Sequence, residues 1–380
     1  MTTSLFELHK QGQSIWYDQL SRSLLDSGEL DRMIREDGLR GLTSNPTIFE
    51  KAISSGQEYE TQLRDLSREG RSTMEIYEAL VIDDIKSAAD CFRPLYEESK
   101  GTDGFVSLEV NPHLAHDTKG TIDEALRLWR TVNRPNLMMK VPATPEGIPA
   151  VRELLGQGLN VNVTLIFAVP VYEKVMEAYL AAIDARRTKG LPVNGIASVA
   201  SFFVSRIDSA VDKIIEEKMP LKMGAARTEL DLLRAKAASA NAKTAYQVFL
   251  RVFATDSFRA TGAHVQRPLW ASTGTKNPRY SDVLYVDGLI GPDTVNTVPP
   301  QTYDAFRDHG RIERTLDADL EESRTVIAGL ELEEISLKDV TDRLTTEGVK
   351  SFADSFDKLI ASIEERRLAA TRAVGAGPVR

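Results

Sequence analysis

What most constrains this chain is a repeated change of hydrophobic period. Eight short runs, at 14–18, 39–44, 104–110, 136–141, 159–164, 196–201, 267–272 and 294–298, are apolar or alternate apolar with polar residues, as strands do. Between them apolar residues recur three and four apart, the stripe of an amphipathic helix: Tyr77, Val81, Ile85, Ala88 and Phe92 make one, Val204, Ile207, Val211 and Ile214 another. A strand followed by a helix, eight times over, is expected to close into a parallel (β/α)8 TIM barrel. An open doubly wound sheet would carry a glycine-rich phosphate turn after its first strand, and no GxGxxG occurs.

Spacing adds detail. The gap between the second and third strands calls for an extra helix or lid near 54–100, and 225–260 reads as one long helical region rich in Ala and Leu. The barrel is assigned to 1–310 and a C-terminal helical extension to 311–380. The extension's last stripe, Val349, Phe352, Phe356, Leu359 and Ile363, is expected to pack on the barrel's outside. From Ala369 to Arg380 no pattern remains, and fraying is expected.

With 47 Lys and Arg against 56 Asp and Glu, the net charge is -9, so no cationic excess suits a nucleic-acid or anionic-membrane face. Any anionic substrate must then meet local cations. Cys91 stands alone and cannot close an internal disulfide, the N-terminus has no signal-peptide pattern, and no apolar run has membrane-spanning length. A cytoplasmic protein is expected. With five His, one Cys and neither CxxC nor HExxH, a protein-built metal site is not expected.

The run Leu137-Met138-Met139-Lys140-Val141-Pro142 encloses a lysine among apolar residues, and the proline stops the strand just beyond it. Barrel enzymes keep their active sites at that strand end. Burial disfavours an ammonium and favours an amine able to attack a carbonyl; the plainer alternative is a lysine that snorkels to the mouth. Two neighbouring strands alternate Ser107, Glu109 and Asn111 with Val106, Leu108 and Val110, and Asn160, Asn162 and Thr164 with Val161 and Val163. Their polar sets point into the barrel, where they need either one another or a polar ligand.

Asp18 and Asn45 close the first two strands. Alone, each reads as a helix N-cap or turn residue; with Glu109 and Lys140 they form a constellation, because an amine that becomes a carbinolamine and then an imine needs proton carriers. Arg206 follows the sixth strand, and Lys276 lies in the loop from Ser272 to Pro278 after the seventh. Both are candidate cations for a phosphate at the last barrel loops, unless Arg206 simply pairs with Asp208 or a surface carboxylate.

With these residues named, the chain resembles a transaldolase of the longer bacterial type, from about Ser14 to Phe306. The motifs are GLTSNPTIFEKAI at 41–53, VSLEVNP at 106–112, MMKVPAT at 138–144, NVNVTLIF at 160–167, ASFFVSRID at 200–208 and STGTKNP at 272–278. The resemblance implies a Schiff-base transferase of the pentose phosphate pathway. Such an enzyme moves a dihydroxyacetone unit from sedoheptulose 7-phosphate or fructose 6-phosphate to glyceraldehyde 3-phosphate or erythrose 4-phosphate, with no metal or organic cofactor, as a monomer or homodimer.

By the same resemblance Lys140 forms the imine, Asp18 carries protons during carbon–carbon cleavage, and Glu109 with Thr164 holds the catalytic water. Asn45 and Asn162 would bind the dihydroxyacetone hydroxyls, Ser201 would contact substrate, and Arg206, Ser272 and Lys276 would hold the phosphate. Many relatives are similar to Ser-Phe-Arg in the seventh-strand loop, where this chain has Ser272-Thr273-Gly274-Thr275-Lys276, so its cation there is displaced. Two rival readings remain. A fructose-6-phosphate aldolase would release free dihydroxyacetone, but Glu109 and Phe203 resemble the transferase pattern. A non-catalytic sugar-phosphate-binding protein would not need Lys140, Asp18 and Glu109 together.

Overall fold

The computed structural model describes residues 5–375. Eight parallel strands, β1 Gln13–Tyr17, β2 Gly41–Thr43, β3 Phe105–Glu109, β4 Leu137–Pro142, β5 Val161–Ile166, β6 Ser198–Phe203, β7 Arg267–Ala271 and β8 Thr294–Val298, pair in chain order. β8 pairs back onto β1 and closes the barrel. The (β/α)8 expectation holds, with strand ends moved by no more than two residues from the runs that announced them.

Register then decides which side chains share a level inside. Glu109 is paired with Lys140, and Lys140 with Asn162, so the three stand side by side across β3, β4 and β5. Beneath them the fully buried Trp16 fills the barrel. Gly41 makes room for it, since a Cβ at that position would lie 2.4 Å from the indole.

The insertion between β2 and β3 is helical: Pro46–Ser55, Glu60–Arg68 and Thr73–Glu98. The region read as one helix over 225–260 is three, Gly224–Asp231, Ala237–Phe253 and Asp256–Arg259. Two buried carboxylates from the helix Ser205–Lys218 account for the first break. Asp212 accepts the Ala235 N–H at 3.1 Å and Asp208 the Ala238 N–H at 2.7 Å, so helix restarts on side-chain acceptors from elsewhere in the chain.

The last helix, Leu337–Gly375, also departs from expectation. It continues through Ala369, where fraying was expected, and residues 376–380 lie outside those described. Rather than lying only on the barrel's outer wall, it crosses the C-terminal ends of the strands, against Pro46–Ser55, Glu60–Arg68 and β5. Ser355 Oγ meets Thr47 Oγ1 at 2.9 Å, and Arg366 bonds the Ile53 carbonyl and Glu60. Gly348 permits the closest approach, because a Cβ there would lie 2.9 Å from Leu165 Cδ2. An apolar stripe shows that a helix face is buried, not what buries it.

Candidate active site

At the C-terminal mouth is a cavity of about 290 Å³. Of the residues singled out from sequence, Asp18, Asn45, Lys140, Thr164, Ser201, Arg206, Ser272 and Lys276 line it. Glu109 and Asn162 do not line it: they flank Lys140 on the same barrel level, and Glu109 lines a separate small cavity with Tyr77, Glu124 and Phe356. Asn160 is elsewhere and structural: its amide donates to the Pro135 and Leu137 carbonyls and accepts from Ala197.

Lys140 does not snorkel. It is 4% exposed, its Nζ donates to the Ser44 carbonyl at 3.0 Å, and Glu109 Oε2 lies 3.2 Å away. Asp18 follows β1, and its Oδ1 accepts the Thr43 hydroxyl at 2.6 Å, while Thr43 is itself 2.7 Å from the Thr297 hydroxyl. The other Asp18 oxygen has no hydrogen bond among the described residues. Although Asp18 keeps some surface open to the cavity, its carboxyl is deep in the mouth, and burial pushes its pKa above the usual aspartate value. Lys140 and the Thr43 hydroxyl oppose that shift without cancelling it. Burial raises Glu109 in the same way, against Lys140 and with the like charge of Asp18 adding to it. Two carboxyls with a raised affinity for protons thus flank one amine.

Two buried atoms here lack hydrogen bonds among the described residues, Glu109 Oε2 and Thr164 Oγ1. Lys140 Nζ is near the first but outside hydrogen-bonding geometry. β5 shifts register between Val163 and Ile166, and Leu165 sits in the left-handed region at φ 58°, a strained position for a bulky side chain directly after Thr164. Asn162 is partly absorbed by its neighbours: its Nδ2 donates to Ser107 Oγ at 3.0 Å and its Oδ1 accepts from Ser201 Oγ at 2.6 Å. Asn45 is an N-cap, accepting the Ile48 N–H at 3.0 Å, and lines the cavity as well.

The same cavity holds three cations, Arg206, Lys276 and Lys51, without an ion-pair or hydrogen-bond partner among the described residues. Arg206 lies in the first turn of Ser205–Lys218, at the positive end of the helix dipole, which also favours an anion, and its guanidinium sits 5.3 Å over the Phe203 ring. Burial lowers its pKa, with Asp18 and Glu347 opposing; partial burial and then Arg206 lower that of Lys276. Ser272, at φ 55°, pins the loop to this helix by accepting the Ser205 N–H at 3.0 Å. Asp208 is not the partner of Arg206. It accepts the Tyr285 hydroxyl at 2.9 Å, and burial pushes its carboxyl up to about 7.

Sequence reasoning missed Lys51 and Phe352. Lys51 was within reach, since it follows Thr47 by four residues on the helix capped by Asn45 and so shares its face. Phe352, buried in the cavity wall, carried no such signal, because its stripe reads as ordinary core. Among the described residues no group of three or more His, Cys, Asp or Glu is placed to hold a metal ion, and no helix is long and apolar enough to cross a membrane.

The family model described as transaldolase/fructose-6-phosphate aldolase matches residues 15–363. The chain belongs to this family. A transaldolase of Trichodesmium erythraeum is 46% identical over 372 residues, 96% of this chain and 98% of the relative. One of Parafrankia is 45% identical over 370 residues, 96% and 98% of the two chains, and one of Thiobacillus denitrificans 46% over 360 residues, 94% and 98%. The transaldolase match runs past Phe306, where the resemblance by motif stopped, and takes in the helix segment that carries Phe352.

Proposed function

We propose that this protein is a transaldolase acting through an imine on Lys140. The observation that carries the reading is the buried amine beside the Glu109 carboxyl, opening on the same cavity as Asp18 and three unpaired cations. Lys140 Nζ adds to the carbonyl carbon of a ketose phosphate, and the carbinolamine loses water to a protonated imine. That imine, at C2 of the sugar, draws in the electrons of the bond between C3 and C4, which breaks as Asp18 takes the C4 hydroxyl proton. An aldose phosphate leaves, and a three-carbon enamine stays on the lysine. Its nucleophilic carbon attacks the aldehyde of a second aldose phosphate, Asp18 returns the proton, and hydrolysis frees the new ketose.

Each remaining residue has a task matched to its free atoms. Glu109 Oε2 and Thr164 Oγ1, both unbonded, hold the water that adds to and leaves the imine. Asn45 keeps its amide N–H groups, and Asn162 one of its two, for the dihydroxyacetone hydroxyls, with Ser201 alongside. Arg206, Lys276 and Lys51 hold the phosphate together with Ser272. The donors are ketose phosphates such as fructose 6-phosphate or sedoheptulose 7-phosphate, and the acceptors erythrose 4-phosphate or glyceraldehyde 3-phosphate. A cytoplasmic location belongs to the reading, supported by the single cysteine of the chain.

Borohydride reduction in the presence of fructose 6-phosphate, followed by peptide mapping, tests the proposal. A stable three-carbon or six-carbon label on Lys140 is expected. A label on another lysine, or none, removes the mechanism.

A further inference from the structure

Phe352 comes from the C-terminal helix, yet its ring centroid is 5.6 Å from Lys140 Nζ and it forms part of the cavity wall. The helix around it is tied down on several sides. Ser355 meets Thr47, Asp357 pairs with His113 at 2.7 Å, and the Phe356 ring stands edge-on to Tyr77 at 5.3 Å. Phe352 itself is 4% exposed. An apolar ring is therefore held over the reactive nitrogen as a fixed roof.

We propose that Phe352 is a specificity-determining residue that commits the three-carbon unit on Lys140 to transfer instead of release. The inference rests on the imine reading above. The enamine left after cleavage has two fates. Its nucleophilic carbon can form a bond to the acceptor aldehyde carbon, whose oxygen takes a proton. Alternatively that carbon takes a proton from solvent and becomes the iminium of dihydroxyacetone. Water then adds to the iminium carbon, a proton passes to nitrogen, and the carbon–nitrogen bond breaks to free dihydroxyacetone and the Lys140 amine.

Glu109 and Thr164 supply water for hydrolysis of either imine, so water at that position does not discriminate between the fates. Protonation of the enamine carbon does discriminate. A phenyl ring beside the nitrogen denies solvent donors access to the covered face while leaving the rest of the cavity to the acceptor. Residues of β4 and the C-terminal helix thus divide the work: Lys140 makes the bond, and Phe352 protects what it carries.

The test is a graded series, Phe352→Leu, Phe352→Val and Phe352→Ala. Free dihydroxyacetone formed from fructose 6-phosphate without acceptor is divided by transfer to erythrose 4-phosphate, and the borohydride label at Lys140 is mapped in each protein. The ratio is expected to climb along the series, reaching about tenfold for Phe352→Ala, or ~1.4 kcal/mol between the two barriers. In deuterated water the released dihydroxyacetone should gain deuterium at the former enamine carbon in step with the ratio. If the label stays on Lys140 and the ratio does not move, the roof has no such role. A merely structural role lowers both rates together and leaves the ratio unmoved, which also overturns the proposal. Absence of the label in the unsubstituted protein defeats the imine reading instead, so the two failures are distinct. Should Phe352→Ala not fold, the Leu and Val variants still decide.

Discussion

At the N-terminal mouth of the barrel, buried Asp103 accepts from Arg40 Nε at 2.6 Å and from Arg267 at 3.1 Å, and Arg267 also donates to Ser14 and the Thr294 carbonyl. At the C-terminal mouth, Asp18 has one hydroxyl donor, and nearby Arg206, Lys276 and Lys51 have no acceptors among the described residues. The same residue types give opposite electrostatics. Burial would raise Asp103, but the two guanidiniums outweigh it and hold the carboxyl below the usual range, whereas burial prevails at Asp18. A closed network satisfies its own charges and holds the strands together. An open one leaves donors, acceptors and cations for something that is not protein.

The comparison can be broken most decisively at the open end. Lys140→Ala is expected to lower kcat/KM for transfer by about 10⁴-fold or more, ~5.5 kcal/mol in barrier height. Loss of less than tenfold would show that the open network is not organised around this amine.

Next comes the closed end. Arg267→Ala leaves a buried aspartate short of a partner and should cost about 3–5 kcal/mol in a urea or thermal melt, with turnover per folded molecule retained. The pH dependence has a definite sign. Because the folded pKa of Asp103 lies below its unfolded value, its contribution is complete above about 3.9 and is lost as pH falls through the lower folded value. The variant should therefore lose less stability on acidification than the parent. A variant as stable as the parent would mean that the closed network does not hold this mouth together.

Asp18→Asn keeps the shape of the open end and removes the carboxyl proposed to carry its proton. The Lys140 adduct should still form and be trapped, while the cleavage rate falls by about 10²- to 10³-fold. Fast cleavage would take Asp18 out of its role. The smallest effect is expected at Lys51, the cation that motif reading passed over. Lys51→Ala should raise KM for phosphorylated acceptors by about fivefold with kcat little changed, because it removes binding common to ground and transition states. An unaltered KM would confine the phosphate to Arg206, Ser272 and Lys276.

Much of the open end was legible beforehand. Lys140, Asp18 and Thr164 were found because strand alternation assigns side chains to faces and a proline or turn marks where each strand stops. Asn162 shows the limit of that rule: alternation put it inside the barrel, but not behind Ser201 with part of its amide already bonded. Asp208 shows another, since proximity in sequence suggested Arg206 and the fold supplied Tyr285 and Ala238 instead.

By itself, then, the sequence determined the barrel, its strand positions and which side chains face the interior near the strand ends, because side-chain period is a local property of the backbone. Only the tertiary structure decided which polar groups would satisfy one another and which would stay open. It alone brought the last helix over the mouth to set Phe352 above Lys140. Partner choice depends on distances between segments far apart in the chain, and no local pattern encodes a distance.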